Sequence, residues 1–208
     1  MSDISLFDAM RTQRAIRRFK PDPVPDEAIT AILEAATHAP SGTNRQPWRF
    51  IVIRDSNTKQ RIGQWYLDGW LDAYGGVRPG QGISSRVYQS ADNLAYHMGE
   101  APVLILVCVD YSPGKPHPGP ITMGASIYPA VQNLLLAARA IGLGTVLTTL
   151  HRLHEDDIKE LLGIPESVET AALIPVGYPA EGEHFGGSRR KPVGELTYYE
   201  RWGRSSAK

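Results

Sequence analysis

The sequence predicts a fold of mixed helices and strands, α+β or α/β, and three observations carry that prediction. Val103–Val109 is a run of seven apolar residues, largely aliphatic, the mark of a strand covered on both faces. Ile127, Val131, Leu134, Leu135 and Ala138 recur at helical spacing and give a helix with an almost wholly apolar face. Helical and extended segments then interleave irregularly along the chain. At 208 residues the chain suits one domain and can bury most of its unfolded surface without covalent staples.

Residues 3–13 read as a first helix with Ile4, Phe7, Ala9 and Met10 roughly on one face. A basic, extended segment follows and ends at Pro21-Asp22-Pro23, where paired prolines forbid a continuing helix. A second helix spans about 25–37. Pro25 suits its first position, Asp26 and Glu27 the positive end of its dipole, and Ala28, Ile29, Ile32, Leu33 and Ala36 its core stripe. Residues 40–44 form a loop, and 50–53 a short buried strand. Residues 55–100 hold helical pieces broken at Gly75-Gly76 and at Pro79-Gly80-Gln81-Gly82. Trp65, Tyr66, Trp70, Tyr74 and Tyr88 cluster there.

After the 103–109 strand comes a Pro/Gly loop at 112–120. The apolar helix follows and is closed by Gly142 and Gly144. Residues 145–149 read as a strand, 154–162 as a helix with Asp156 and Asp157 in its first turn, and 170–176 as a strand. The tail, 187–208, is basic and then aromatic, without an apolar pattern of its own. A tail of that kind docks on another surface, such as a second chain.

Several function classes are disfavoured at once. Lys plus Arg is 22 and Asp plus Glu is 22, so a nucleic-acid or membrane-surface binder, which needs excess cation, is not expected. The single cysteine, Cys108, excludes an intrachain disulfide and a CxxC site, and inside the most apolar strand it reads as a buried, inert thiol. No apolar run approaches a membrane span, and MSDISLFDAM lacks the profile of a signal peptide, so a cytoplasmic setting is expected. GxGxxG, GxxxxGK[ST] and GxSxG are all absent. His151 and His154, without a neighbouring cysteine, read as surface or capping residues, and no metal site is expected.

Four stretches stand out. Gln13-Arg14-Ala15-Ile16-Arg17-Arg18-Phe19-Lys20 concentrates cations in a neutral chain, and arginine suits bidentate binding of phosphate. Read alone, a solvated charge run that complements a helix C-terminus is the favoured reading. Pro40-Ser41-Gly42-Thr43-Asn44-Arg45-Gln46-Pro47-Trp48 crowds small and amide-bearing residues into a helix-to-strand turn, as simple turn chemistry also would. In Gly142-Leu143-Gly144-Thr145-Val146-Leu147-Thr148-Thr149 two glycines allow close backbone approach, and two threonines stand at a strand end. Ser188-Arg189-Arg190-Lys191-Pro192 sets three cations in the tail.

Together these stretches resemble the nitroreductase family of FMN-dependent oxidoreductases. Arg14 to Phe19 matches a basic RRS-x-R-x-F motif, 40–48 a PS-x-x-N-x-QPW loop, 142–149 a glycine-rich turn into a strand, and 189–192 a [KR]-[RK]-x-P ending. Gln13 and Ala15 depart from it, replacing an arginine and a serine. The resemblance implies an α+β fold: a mixed sheet flanked by helices, one domain over 1–208, and a homodimer with exchanged C-terminal tails. Two FMN sites would lie at the interface, and 65–100 would act as a lid.

It further implies that NAD(P)H gives a hydride to flavin N5 and that a nitroaromatic, quinone or similar acceptor takes the electrons in a ping-pong cycle. Arg14, Arg17 and Arg190, with Arg189 as the alternative by one residue, would hold the phosphate and the pyrimidine edge. Ala15 lies within that motif. Pro40, Ser41, Asn44 and Gln46 would come from the loop across the dimer, and Leu147, Thr148 and Thr149 would lie near N5. No side chain need act as acid or base. Dehalogenation, flavin-derived benzimidazole synthesis and a flavin-binding module without turnover are the alternatives.

Overall fold

The computed structural model of the chain describes residues 4–75, 85–111 and 119–204. Strand β2 (Val103–Val109) organises it. Successive strand side chains point to opposite faces, and here both sets are apolar. Val103, Ile105, Val107 and Val109 enter one core, while Leu104, Leu106 and Cys108 enter another. All seven are buried, as expected of a strand covered on both sides.

The sheet adds β1 (Trp48–Ile53), β3 (Gly144–Thr145) and β4 (Glu169–Gly177) in the order β1-β2-β4-β3. Each neighbouring pair of these strands is antiparallel. The expected mixed sheet is therefore corrected: among the described residues the one parallel pairing is an isolated bridge between Ala15 and Thr145.

Helices α2 (Asp26–Thr37) and α5 (Pro120–Ala140) cover the first face. They place Ile29, Ile32 and Ala36, then Ile127, Val131 and Leu134, against the odd-numbered side chains of β2. The second face is covered by α3 (Ser56–Tyr74), α4 (Ser85–His97) and α6 (Glu155–Leu162) through Ile62, Tyr66 and Trp70, Leu94, and Ile158. Local chemistry sets the ends of these helices. Asp55 caps α3 by accepting from Thr58 N at 2.7 Å, and Gly163, at φ +64°, closes α6. Ile121–Ala140 has the length and apolarity of a membrane span, at a mean hydropathy of 1.2. The expectation of no such run is corrected to a core helix, whose buried side chains pack on the sheet.

Three further expectations change. Pro25 is the cap of α2 and not its first residue. Helix α1 (Leu6–Thr12) buries Ala9 alone, and Phe7 and Met10 are 72% and 52% exposed. It packs on α5 and not on a strand, and most of its apolar side stays open to solvent. The 145–149 strand shrinks to Gly144–Thr145 plus a bridge between Thr148 and Leu173. The β3–β4 register would place Val146 opposite Pro175, which has no N–H to complete the ladder. Gly76, Pro79-Gly80-Gln81-Gly82 and residues 112–118 of the Pro/Gly loop lie outside the described residues.

Candidate functional site

Beyond the end of α1 the chain runs extended beside the sheet. Ile16 is wholly buried and donates its N–H to Thr145 O at 3.0 Å, and Lys20 N donates to Tyr178 O at 2.8 Å. This anchoring presents Arg14 to solvent and leaves Arg17 half-buried. Burial pulls the pKa of Arg17 down, because a charged guanidinium loses hydration there. Among the described residues Arg17 has no hydrogen bond and no ion pair.

Tyr66 lies beside Arg17 and is 4% exposed. Burial pushes its phenol up to about 12, against the opposing pull of a hydrogen bond with Thr148 and of the Arg17 charge. Thr148 exchanges both backbone bonds with Leu173, at 3.1 and 3.0 Å, and its hydroxyl donates to Leu173 O at 2.6 Å. Its donors are spent, so toward Tyr66 it offers only an oxygen. Of the residues expected near a ring nitrogen, Leu147 and Thr149 remain exposed and Thr148 is buried.

The glycines of this turn answer to packing. Gly142 sits at φ +83°, a left-handed position that ends α5. A Cβ on Gly144 would lie 2.6 Å from Ile16 Cγ2, so this glycine lets the basic segment reach the sheet.

The 40–48 loop is strained. Thr43, Asn44 and Gln46 all have positive φ, at 53°, 55° and 51°. Left-handed conformations cost L-residues roughly 1–2 kcal/mol each. Internal bonds hold the loop: Gln46 N donates to Ser41 Oγ at 3.0 Å, and Gln46 Nε2 to Asn44 Oδ1 at 3.1 Å. Gly42 N donates to Ser126 Oγ in α5 at 3.2 Å. Pro40, Asn44 and Gln46 are exposed and Ser41 is half-buried.

Arg189 and Arg190 are exposed, and Arg190 Nη1 donates to Arg189 O at 3.3 Å. Up to Gly186, whose N–H donates to Thr12 O at 2.9 Å, the chain is tied to the body; from 188 to 204 every residue but Thr197 is exposed. One chain thus brings together Arg14, Ala15, Arg17 and Leu147–Thr149. It keeps the loop and the tail arginines apart from them, with no hydrogen bond or ion pair joining the three groups among the described residues.

Tyr66 was missed as part of this cluster, since its spacing with Ile62 and Trp70 marks only the core face of α3. His151 was also misjudged: it is fully buried, not at the surface. Thr170 donates N–H and hydroxyl to Glu155 Oε1 at 2.6 and 2.8 Å. Its oxygen therefore accepts from His151 Nε2 at 3.1 Å, and Nδ1 is left unpaired. Burial pulls His151 down to about 4. Burial also pushes the Cys108 thiol up to about 12, so it is inert as expected. Among the described residues no group of three or more His, Cys, Asp or Glu side chains is placed to hold a metal.

A model of the Nitroreductase family matches residues 10–178. The chain belongs to that family. A protein of Methanothermobacter thermautotrophicus, whose name pairs NADH dehydrogenase with NAD(P)H nitroreductase, is 33% identical over 97% of this chain and 90% of its own length. The iodotyrosine deiodinase of Thermotoga neapolitana is 31% identical over 84% of this chain and 88% of its own. A crystal structure of oxidized iodotyrosine deiodinase bound to FMN and 3-iodo-L-tyrosine superposes with a TM-score of 0.73 at 27% identity, covering 95% of this chain and 99% of that one. The nitroreductase fold and the α+β class are thereby established.

Proposed function

We propose that this chain binds FMN at the interface of a cytoplasmic homodimer and works as an NAD(P)H-dependent oxidoreductase on small aromatic or quinone acceptors. The observation that carries the reading is Arg17. A half-buried guanidinium with no hydrogen bond or ion pair among the described residues, and only the more distant charge of Glu183 to favour it, is costly, and an anion or an electron-rich carbonyl edge offsets that cost. Arg14 and the tail's Arg190 or Arg189 supply further cations of the kind that hold one phosphate. Pro40, Ser41, Asn44 and Gln46, held in a strained loop, offer amide and hydroxyl groups to a heterocycle from the other chain. Leu147 and Thr149 would border the ring, with Thr148 and Tyr66 fixing the turn beneath them. Ala15 contributes backbone alone. When bound, FMN would supply the two-electron redox chemistry between NAD(P)H and the acceptor, while the protein supplies binding, orientation and charge.

The family and the FMN-bound relative at 27% identity support this reading. The experiment is to denature the purified protein, identify the released flavin, and add NADH or NADPH anaerobically to the native protein. Recovery of FMN and bleaching of its visible band are expected; FAD, or a protein that cannot be loaded with flavin, would overturn the reading. A second reading, reductive dehalogenation, is favoured by the 31% identical deiodinase. Release of iodide from 3-iodotyrosine under reducing conditions separates the two.

A further inference from the structure

The 40–48 loop packs on α5 and is fastened to the body at three points. At its entry, Asn133 Nδ2 on α5 donates to Ala35 O in the last turn of α2 at 3.2 Å. At its exit, Asp110 N donates to Pro47 O at 2.8 Å, and Pro47 and Trp48 are buried. Between the two, the hydroxyl oxygen of Ser126 accepts from Gly42 N at 3.2 Å. Ser126 and Asn133 stand about two helical turns apart on the side of α5 that meets this part of the chain.

The middle point contributes least to the core. Residues 42–46 are all exposed, so burial does not hold them. Thr43, Asn44 and Gln46 are left-handed, a conformation that L-residues leave when nothing keeps them in it. Most bonds of residues 41–45 close within the loop: Asn44 N to Ser41 O at 3.0 Å, Arg45 N to Gly42 O at 3.2 Å, and the two from Gln46 to Ser41 and Asn44. Such bonds set the loop's shape but not its place. Among the described residues Ser126 is the partner of 41–45 that lies on another element. It is 6% exposed, and a buried hydroxyl is costly unless it is used. A Cβ on Gly42 would stay 4.0 Å from Ser126 Oγ, so the approach is set by the hydrogen bond and not by crowding.

We propose that Ser126 is a positioning residue for the cofactor, holding the strained loop preset in the shape that receives FMN. The inference rests on the flavin reading, because it takes the loop as a contact of the flavin. Ser126 acts through the Gly42 N–H: with that bond in place, Ser41, Asn44 and Gln46 meet the ring without a prior rearrangement. Without it the loop relaxes, a smaller fraction of flavin-free molecules is ready to bind, and association slows by that fraction.

The test is stopped-flow mixing of the flavin-free protein with FMN, followed by flavin fluorescence, with thermal unfolding of the same flavin-free samples. Ser126→Ala should slow association about two- to tenfold, the range of one neutral hydrogen bond, and leave the dissociation rate nearly unchanged. Ser126→Thr, which keeps the oxygen, should restore most of the rate. The unfolding midpoint should be the same in all three proteins, because the bonds at Ala35 and Pro47 still fasten the two ends of the loop. Equal association rates for wild type and Ser126→Ala overturn the proposal. So does a loss carried by the dissociation rate, which would make the bond a feature of the bound state alone. A lower unfolding midpoint in Ser126→Ala overturns it as well, by assigning Ser126 to the fold. A wild type that takes up no FMN overturns the flavin reading, and this inference with it.

Discussion

Arg17 and His151 are both polar side chains that their own chain leaves partly unsatisfied, and the two have different consequences. For Arg17 a ligand can complete the set. Arg17→Ala should therefore weaken FMN binding by about ten- to hundredfold, the worth of a hydrogen bond to a charged group, and Arg17→Lys should recover only part. Equilibrium titration with FMN checks this. His151 has no route to solvent, and its folded pKa of about 4 lies below the unfolded value of 6.5. Between those values the unfolded state binds more protons, so stability is full above about pH 6.5 and falls as pH drops toward 4, by roughly 3 kcal/mol in all. Glu155, held below the usual carboxylate range by its bonds from Thr170, adds to the loss further into acid. Denaturant melts across that pH range should show the slope, and His151→Gln should flatten it. Neither feature was legible beforehand. His151 looks like a surface histidine because the closure that buries it comes from β4, far along the chain, and Arg17 is one cation among four in its segment. Cys108 was legible, because its apolar neighbours in the run already decide its burial.

Elements whose pattern repeats were read well, and those that depend on one distant contact were not. The 103–109 strand and the stripe of α2 carry their own periodicity, so burial follows directly. The 145–149 segment has strand propensity, but the missing N–H of Pro175 on the facing strand interrupts its ladder. For α1 the apolar face is present in the sequence, while the α5 surface on which it packs lies far along the chain. The loop and tail motifs were legible only through resemblance, since turn chemistry and loose charge explain each alone. Two predictions belong at this scale. Gly144→Ala drives a Cβ into Ile16 and should destabilise the fold by about 1–3 kcal/mol, measured by thermal unfolding, with FMN affinity falling as the basic segment shifts. In the tail, Arg190→Ala should weaken FMN binding about tenfold or more, and Lys191→Ala, of opposite phase in an extended chain, much less. Equal dissociation constants for these two and wild type would remove Arg190 from the site, and Arg189→Ala would then test the neighbouring register.

At the scale of the molecule, the proposed site is divided: the basic segment lies beside Thr148, while the loop and the tail arginines stand apart from it with no bond joining them among the described residues. Leu6, Phe7 and Met10 on α1, and Val193, Leu196 and Trp202 on the tail, stand between 52% and 90% exposed. Apolar surface of this extent calls for a partner. The hydrogen-bonded anchor at Gly186 ends the body of the chain, so truncation after Gly187 should leave the core folded while abolishing both self-association and FMN binding. Assembly of the site from two chains is tested most directly by sedimentation velocity at micromolar concentration, followed in the flavin's visible band. A shared site predicts that all bound FMN sediments with the dimer and that the truncated chain sediments as a colourless monomer. FMN travelling with a monomer of the full chain would contradict it.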